Sequence, residues 1–184
     1  MKVLKTAIVK TTRFLNLNVS RFEHKGKEGD WFWVERVGSK NAVVIVALTE
    51  DDRLVVTKEF RVPIEGYEWG LPAGLIDNRD TPEWTARREL EEETGLSVDG
   101  FLKNSSSLVY NSPGMTNEAV YMVYVRASGQ PHTGNLEEAE DIETFFMNRE
   151  EVKELMQRAL NDTGIMIGAK AWMVFDRYVK HGDV

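Results

Sequence analysis

The chain has 184 residues, 42% of them hydrophobic and 29% charged, which is one domain's length with enough apolar side chain for a core and excludes a disordered or collagen-like protein. The balance of 30 acidic against 23 basic residues gives a formal net charge of −7, which excludes a general nucleic-acid surface but permits a small anionic substrate whose charge a bound cation offsets. With no cysteine, disulfides, zinc ribbons, thiolate-held clusters and cysteine nucleophiles are excluded together.

The N-terminal stretch MKVLKTAIVK alternates instead of forming a signal-peptide core. The longest apolar run, Ala42 to Leu48, is far shorter than the roughly 20 residues that span a bilayer. These features predict a soluble cytoplasmic protein with no membrane contact. Residues 3–9, 14–20 and 31–37 read as strands, the last after a Gly-rich turn, KGKEGD at 25–30. They predict a small N-terminal β unit over residues 1–40, with a second domain over 41–184. Residues 41–48 form a continuous buried-strand pattern, and Asp51-Asp52 turns the chain into a second strand of the same hairpin at 54–60.

A helix over 82–94 is punctuated at both ends: Thr81 suits the N-cap, Pro82 the first helical position and Gly95 the C-terminal stop. Further strands are expected at 108–110, 119–126 and 142–147. Asn148 and Glu151 form a capping box for a helix over 149–160, and a last helix is expected at about 168–180. The fold class is therefore α/β with a mixed or antiparallel sheet. His24, His132 and His181 stand apart in sequence and read as surface or turn residues.

On the helix over 82–94, Glu89, Glu92 and Glu93 share one face, while Ala86 and Leu90 make a separate apolar stripe. Three carboxylates at i, i+3 and i+4 repel one another. Solvent and salt, the neighbouring Arg88, or a hard divalent cation can each offset that repulsion, and a backbone carbonyl from the loop before the helix would complete an all-oxygen shell suited to Mg2+ or Mn2+.

The stretch from Gly74 through Asp80 to Arg88-Glu89-Leu90-Glu91-Glu92-Glu93-Thr94-Gly95-Leu96 resembles the Nudix box, GX5EX7REUXEEXGU with U aliphatic, at every fixed position except Asp80, where the pattern has glutamate. The resemblance implies the Nudix α/β/α sandwich with a mixed sheet over roughly residues 40–184, and hydrolysis of a nucleoside diphosphate linked to another group. It implies that Glu89, Glu92 and Glu93, with the carbonyl of Ala73, hold the metal, and that Arg88 orients the glutamates. In that chemistry divalent cations neutralise the diphosphate, polarise phosphorus and activate water.

LPAGLID joined to the box, KEFRVP at 58–63, SPGMTNE at 112–118 and the N-terminal strand unit together resemble the ADP-ribose pyrophosphatases and related nucleotide-sugar hydrolases. That likeness implies a homodimer whose N-terminal unit also builds the base pocket. Arg61 matches an arginine that contacts substrate phosphate; a plain surface arginine at a strand end is the alternative. Ser112, Pro113 and Gly114 would shape a substrate loop, or simply turn the chain before the next strand. Trp31 and Trp33 would stack on the base or pack a domain or dimer core. The acidic run 137–141 resembles the loop that carries the catalytic base, with Glu140 the first candidate and Glu138 the second.

Many ADP-ribose enzymes carry an acidic residue where this chain has Gly70, and Glu68 is the nearest carboxylate that could reach in. The expected activity is metal-dependent hydrolysis of ADP-ribose or a nucleoside diphosphate sugar to a nucleoside monophosphate and a sugar phosphate. A GDP-mannose-preferring hydrolase, a nucleoside triphosphate house-cleaning pyrophosphatase and a non-catalytic ligand-binding module follow in that order.

Overall fold

The structure is a computed structural model and describes residues 1–39, 41–77, 79–102, 105–132, 136 and 141–184. Its first three strands, β1 (Lys2–Thr11), β2 (Leu15–His24) and β3 (Lys27–Arg36), form an antiparallel sheet of their own in that order. The turn between β2 and β3 is shorter than KGKEGD suggests. Lys25 and Gly26 alone take positive φ angles, 52° and 72°, as a two-residue turn matched to strand twist demands. Lys27 to Asp30 are strand instead, because they pair with His24 to Arg21 and the Arg21–Asp30 ion pair at 3.0 Å fastens that register.

The remaining strands are β4 (Asn41–Leu48), β5 (Leu54–Arg61), β6 (Gly66–Gly70), β7 (Ala73–Leu75), β8 (Ser97–Phe101), β9 (Val109–Tyr110), β10 (Ala119–Ser128), β11 (Ile142–Met147) and β12 (Met166–Ile167). They make one sheet in the order β12-β6-β5-β4-β10-β8, with β11 beside β5, β7 beside β4 and β9 beside β10. It is mixed, since β4 runs parallel to β10 and antiparallel to β7. The expected β4–β5 hairpin splays immediately after one pair, Leu48 with Leu54. The rest of β5 is taken by β6 and β11.

Three helices complete the fold: α1 (Pro82–Thr94), α2 (Arg149–Asn161) and α3 (Ala169–His181). The caps are those the sequence announces. Thr81 Oγ1 accepts from the Trp84 N–H, Gly95 closes α1 at φ 75°, and Asn148 and Glu151 exchange the two bonds of a capping box. Val43, Ile45 and Ala47 of β4 pack with Ala86 and Leu90 of α1. Val44, Val46 and Leu48 point the other way, towards Val152 and Leu155 of α2 and Phe175 and Tyr178 of α3. This accounts for the unbroken apolar run at 41–48: a central strand covered on both faces has no polar alternation. The layers are α1, sheet, then α2 with α3, an α/β/α sandwich. Among the described residues no helix is long and apolar enough to cross a membrane.

The two sheets meet along β3 and the segment 114–118. Trp31 donates its indole N–H to the Gly114 carbonyl at 3.0 Å, and the Val34 N–H donates to the Met115 carbonyl at 2.8 Å. Asn117 donates to Glu35 at 3.0 Å, and Arg36 pairs with Glu118 at 2.8 Å.

Candidate active site

The β7 strand and α1 together build the acidic centre. Ala86 and Leu90, both fully buried, fix the rotation of α1 against the sheet, and that rotation carries Glu89 and Glu93 inward to 9% and 4% exposure. Burying carboxylates is costly unless they are compensated. The Glu93 carboxylate accepts the Ala73 backbone N–H at 3.1 Å. Arg88 donates to Glu89 and to Glu92, each at 2.7 Å. Burial works against the charge on Arg88, but the adjacent carboxylates of Glu89 and Glu92 outweigh it and raise its pKa above the usual arginine value. The guanidinium also lies over the Trp84 ring, 5.6 Å from its centroid.

Among the described residues no three acidic or imidazole side chains converge at ligand spacing. The carboxylates turn to Arg88 and to the Ala73 amide. The donor set nevertheless suits a hard divalent ion: three carboxylates on one face of one helix, two of them nearly buried, in a chain without cysteine. Gly74 supports the same fit. A Cβ there would lie 1.9 Å from the carboxyl carbon of Glu89, so only glycine lets the strand come this close.

Beside this centre opens a cleft of about 340 Å³. Ala73, Gly74, Arg61 and Glu68 all line it. Arg61 pairs with Glu68 at 3.0 Å and with Glu59. Gly70 and Glu68 lie two apart on β6 and both face the cleft, so the carboxylate that position 70 lacks is present one pleat away.

Ser112, Pro113 and Gly114 lie outside this cleft. The Ser112 carbonyl accepts the N–H groups of Met115 and Thr116 at 2.8 and 2.9 Å, so the three residues form a tight turn. Trp31, Trp33 and Pro113, with Phe22 and Tyr110, instead line a separate apolar groove of about 540 Å³. Trp33 is oriented there by donating to Ser20 at 2.9 Å, and Asn117, another wall residue, has a buried side-chain oxygen with no hydrogen-bond partner among the described residues. Glu138 and Glu140 lie outside the described residues. Asp141, at the end of their run, accepts from the Tyr67 hydroxyl at 2.5 Å, and that bond raises the Tyr67 pKa above its ordinary value.

The cleft also contains Arg36, Asn111, Glu118 and Lys170, none of which sequence reasoning singled out. Glu118 closes the turn motif at 112–118 and Asn111 immediately precedes it, so both could have been found from it. Arg36 and Lys170 come from opposite ends of the chain, and only folding brings them together.

The family description for the NUDIX domain matches residues 38–165. The ADP-ribose pyrophosphatase of Bacillus subtilis (strain 168) is 32% identical over 124 residues, 67% of this chain and 66% of its own length. The chain thus spans just under two thirds of that relative. The ADP-ribose pyrophosphatase of Saccharomyces cerevisiae is 31% identical over 159 residues, covering 79% of this chain and 68% of its own. Among solved structures, an ADP compounds hydrolase superposes with a TM-score of 0.72 at 21% identity, covering 100% of this chain and 96% of that one. The fold is therefore shared from end to end, the three-stranded sheet included.

Proposed function

We propose, since this chain belongs to the NUDIX family, that it hydrolyses the diphosphate bond of ADP-ribose and related nucleoside diphosphate sugars, releasing a nucleoside monophosphate and a sugar phosphate. One observation carries this reading: the box loop at Ala73 and Gly74 opens into the same cleft as Arg61 and Glu68. The strand that packs against the box carboxylates and a guanidinium held by Glu59 and Glu68 thus border one space. A diphosphate flanked by hydroxylated groups matches that arrangement of charge.

Glu89, Glu92, Glu93 and the Ala73 carbonyl would hold a divalent cation, Mg2+ in the first place and Mn2+ in the second. When bound, it supplies charge neutralisation at the diphosphate and activation of water. The chain's own residues do the rest. Arg88 fixes the rotamers of Glu89 and Glu92 through its two bonds. Glu68 holds Arg61 towards the cleft, where its guanidinium can take a phosphate oxygen. Glu140, with Glu138 as the second candidate, is the proposed acceptor of the water proton on the strength of the motif resemblance alone. The aromatic groove is the proposed seat of the base, with Trp31 and Trp33 stacking and the unpartnered Asn117 oxygen accepting from an exocyclic amine.

The active form we propose is a homodimer joined through the three-stranded sheet. Every residue of β1 is exposed, and Val9, Leu17 and Phe32 present apolar surface at 52%, 36% and 59% exposure. Such a patch on an unpaired edge sheet is a surface that a second copy covers.

The reading is tested by incubating the purified protein with ADP-ribose and Mg2+ and separating the products by anion exchange. AMP and ribose 5-phosphate in equal amounts support it. ADP or free phosphate as first products overturn it.

A further inference from the structure

The rim of the cleft is a chain of polar contacts in which one cation, among the described residues, bonds no carboxylate. Arg61 donates to Glu68 at 3.0 Å. Glu68 lies against Gly168, where a methyl group would come within 2.4 Å of its oxygen. Two residues further on, Lys170 donates its ammonium to the Asn111 side-chain oxygen at 3.1 Å. Asn111 donates in turn to Glu118 at 2.7 Å, and Glu118 accepts from Arg36 at 2.8 Å.

The cations around this rim are unequally paired. Arg36 faces Glu118, and Arg61 faces both Glu59 and Glu68. Lys170, among the described residues, is bonded to a neutral amide and to no carboxylate, and it is the one cation lining the space of which this holds. A half-buried ammonium that lines a cleft on a neutral amide, in a protein of net charge −7, marks where negative charge on a ligand is accommodated. An ammonium is also a mobile point donor, able to leave an amide for a phosphate oxygen at little cost, as the fixed fork of an arginine is not.

We propose that Lys170 is a substrate-binding residue that takes an anionic oxygen of the diphosphate, held ready for it by Asn111 and, through Asn111, by Glu118. The assignment rests on the diphosphate-hydrolase reading, and it gives α3, which lies beyond the matched NUDIX region, a direct part in substrate binding. Lys170 offers its bond to the phosphate and none to the base, so its removal weakens every diphosphate substrate alike, whatever the nucleobase.

The test compares the native protein with Lys170→Met and Lys170→Arg, each checked for native circular dichroism. Binding of ADP-ribose and, separately, of ribose 5-phosphate and of adenosine is titrated calorimetrically without divalent cation, and KM and kcat for ADP-ribose are measured with Mg2+. The expected result for Lys170→Met is an affinity for ADP-ribose and ribose 5-phosphate lowered about tenfold or more, as for a lost charged hydrogen bond. KM rises by the same factor, kcat changes by less than about threefold, adenosine binding is unchanged, and Lys170→Arg recovers most of the loss. Unchanged ADP-ribose affinity in Lys170→Met overturns the inference. So does equal weakening of adenosine, which is the mark of a structural role. A native protein that binds ADP-ribose but never cleaves it overturns the hydrolase reading instead, and the binding titrations still decide the role of Lys170.

Discussion

The α-carbon of Gly74 lies against the Glu89 carboxylate so closely that a methyl group there would fall 1.9 Å from its Oε1 atom. Gly74→Ala must therefore push a buried carboxylate aside without touching the helix caps. The expected outcome is a loss of about 100-fold in kcat, the scale of a misplaced catalytic group, with helix content preserved. Initial rates alongside circular dichroism check it.

Arg88 holds two of the three carboxylates that share the α1 face. Its removal restores their repulsion at a partly buried site. Arg88→Ala should lower Tm by several degrees in chelator, on the order of 1–2 kcal/mol for a pair of this exposure. Arg88→Lys recovers only part, since one ammonium does not reproduce the two-pronged contact. Thermal scans of the three proteins read the difference.

Tyr178 sets an alkaline limit on stability. Its hydroxyl donates to the Asp52 carbonyl at 2.7 Å, and burial, reinforced by the Asp52 charge, raises its pKa above the ordinary phenol value. The folded protein thus holds this proton more tightly than the unfolded chain, whose tyrosines titrate near roughly 10. The stabilisation is fully present below that pH and is lost as pH rises through the folded pKa. Tyr67 and Tyr124 shift in the same direction. Urea unfolding between neutral pH and the alkaline range should show a falling midpoint. In Tyr178→Phe that fall is shallower, from a neutral-pH stability lower by about 1 kcal/mol.

The dimer is tested at Phe32, which pairs with Val19 on one face of the three-stranded sheet, Val19 pairing in turn with Ala7. Phe32→Glu places a charge in the proposed interface. Sedimentation should show a dimer for the native chain and a monomer for the variant. A native chain that sediments as a monomer contradicts the assembly.

What the sequence disclosed and what it withheld follow from the range of the interactions. The helices α1 and α2 were legible because their ends are set locally, by Thr81, Gly95 and the Asn148–Glu151 box, whereas α3, whose N-cap Gly168 makes no side-chain bond, showed only approximate bounds. The strands at 41–48 and 142–147 were legible because a buried or β-branched run leaves a pattern. The strands β6, β7, β8 and β12 were not foreseen. They are short, and GYEWG, AGL and SVDGF carry glycines that read as turns. Their strand state comes from partners such as Thr57 for Gly70 and Val43 for Gly74, chosen by the fold. The same division holds at the cleft. The box glutamates lie within one helix and were visible as spacing. The bond between Arg36 and Glu118, 82 residues apart, has no local signature.

The central claim is that the carboxylate face of α1 drives diphosphate hydrolysis in the adjoining cleft. It is tested most directly by phosphatase-coupled phosphate release from ADP-ribose, because an intact diphosphate resists the phosphatase. The native chain and Glu93→Gln are compared with Mg2+ and with chelator, alongside ADP-ribose binding. The account predicts release by the native chain that requires the cation, a loss of at least about 100-fold in Glu93→Gln, and binding retained by both. Equal release from the two proteins, release that persists in chelator, or silence from a folded native chain with Mg2+ would contradict it.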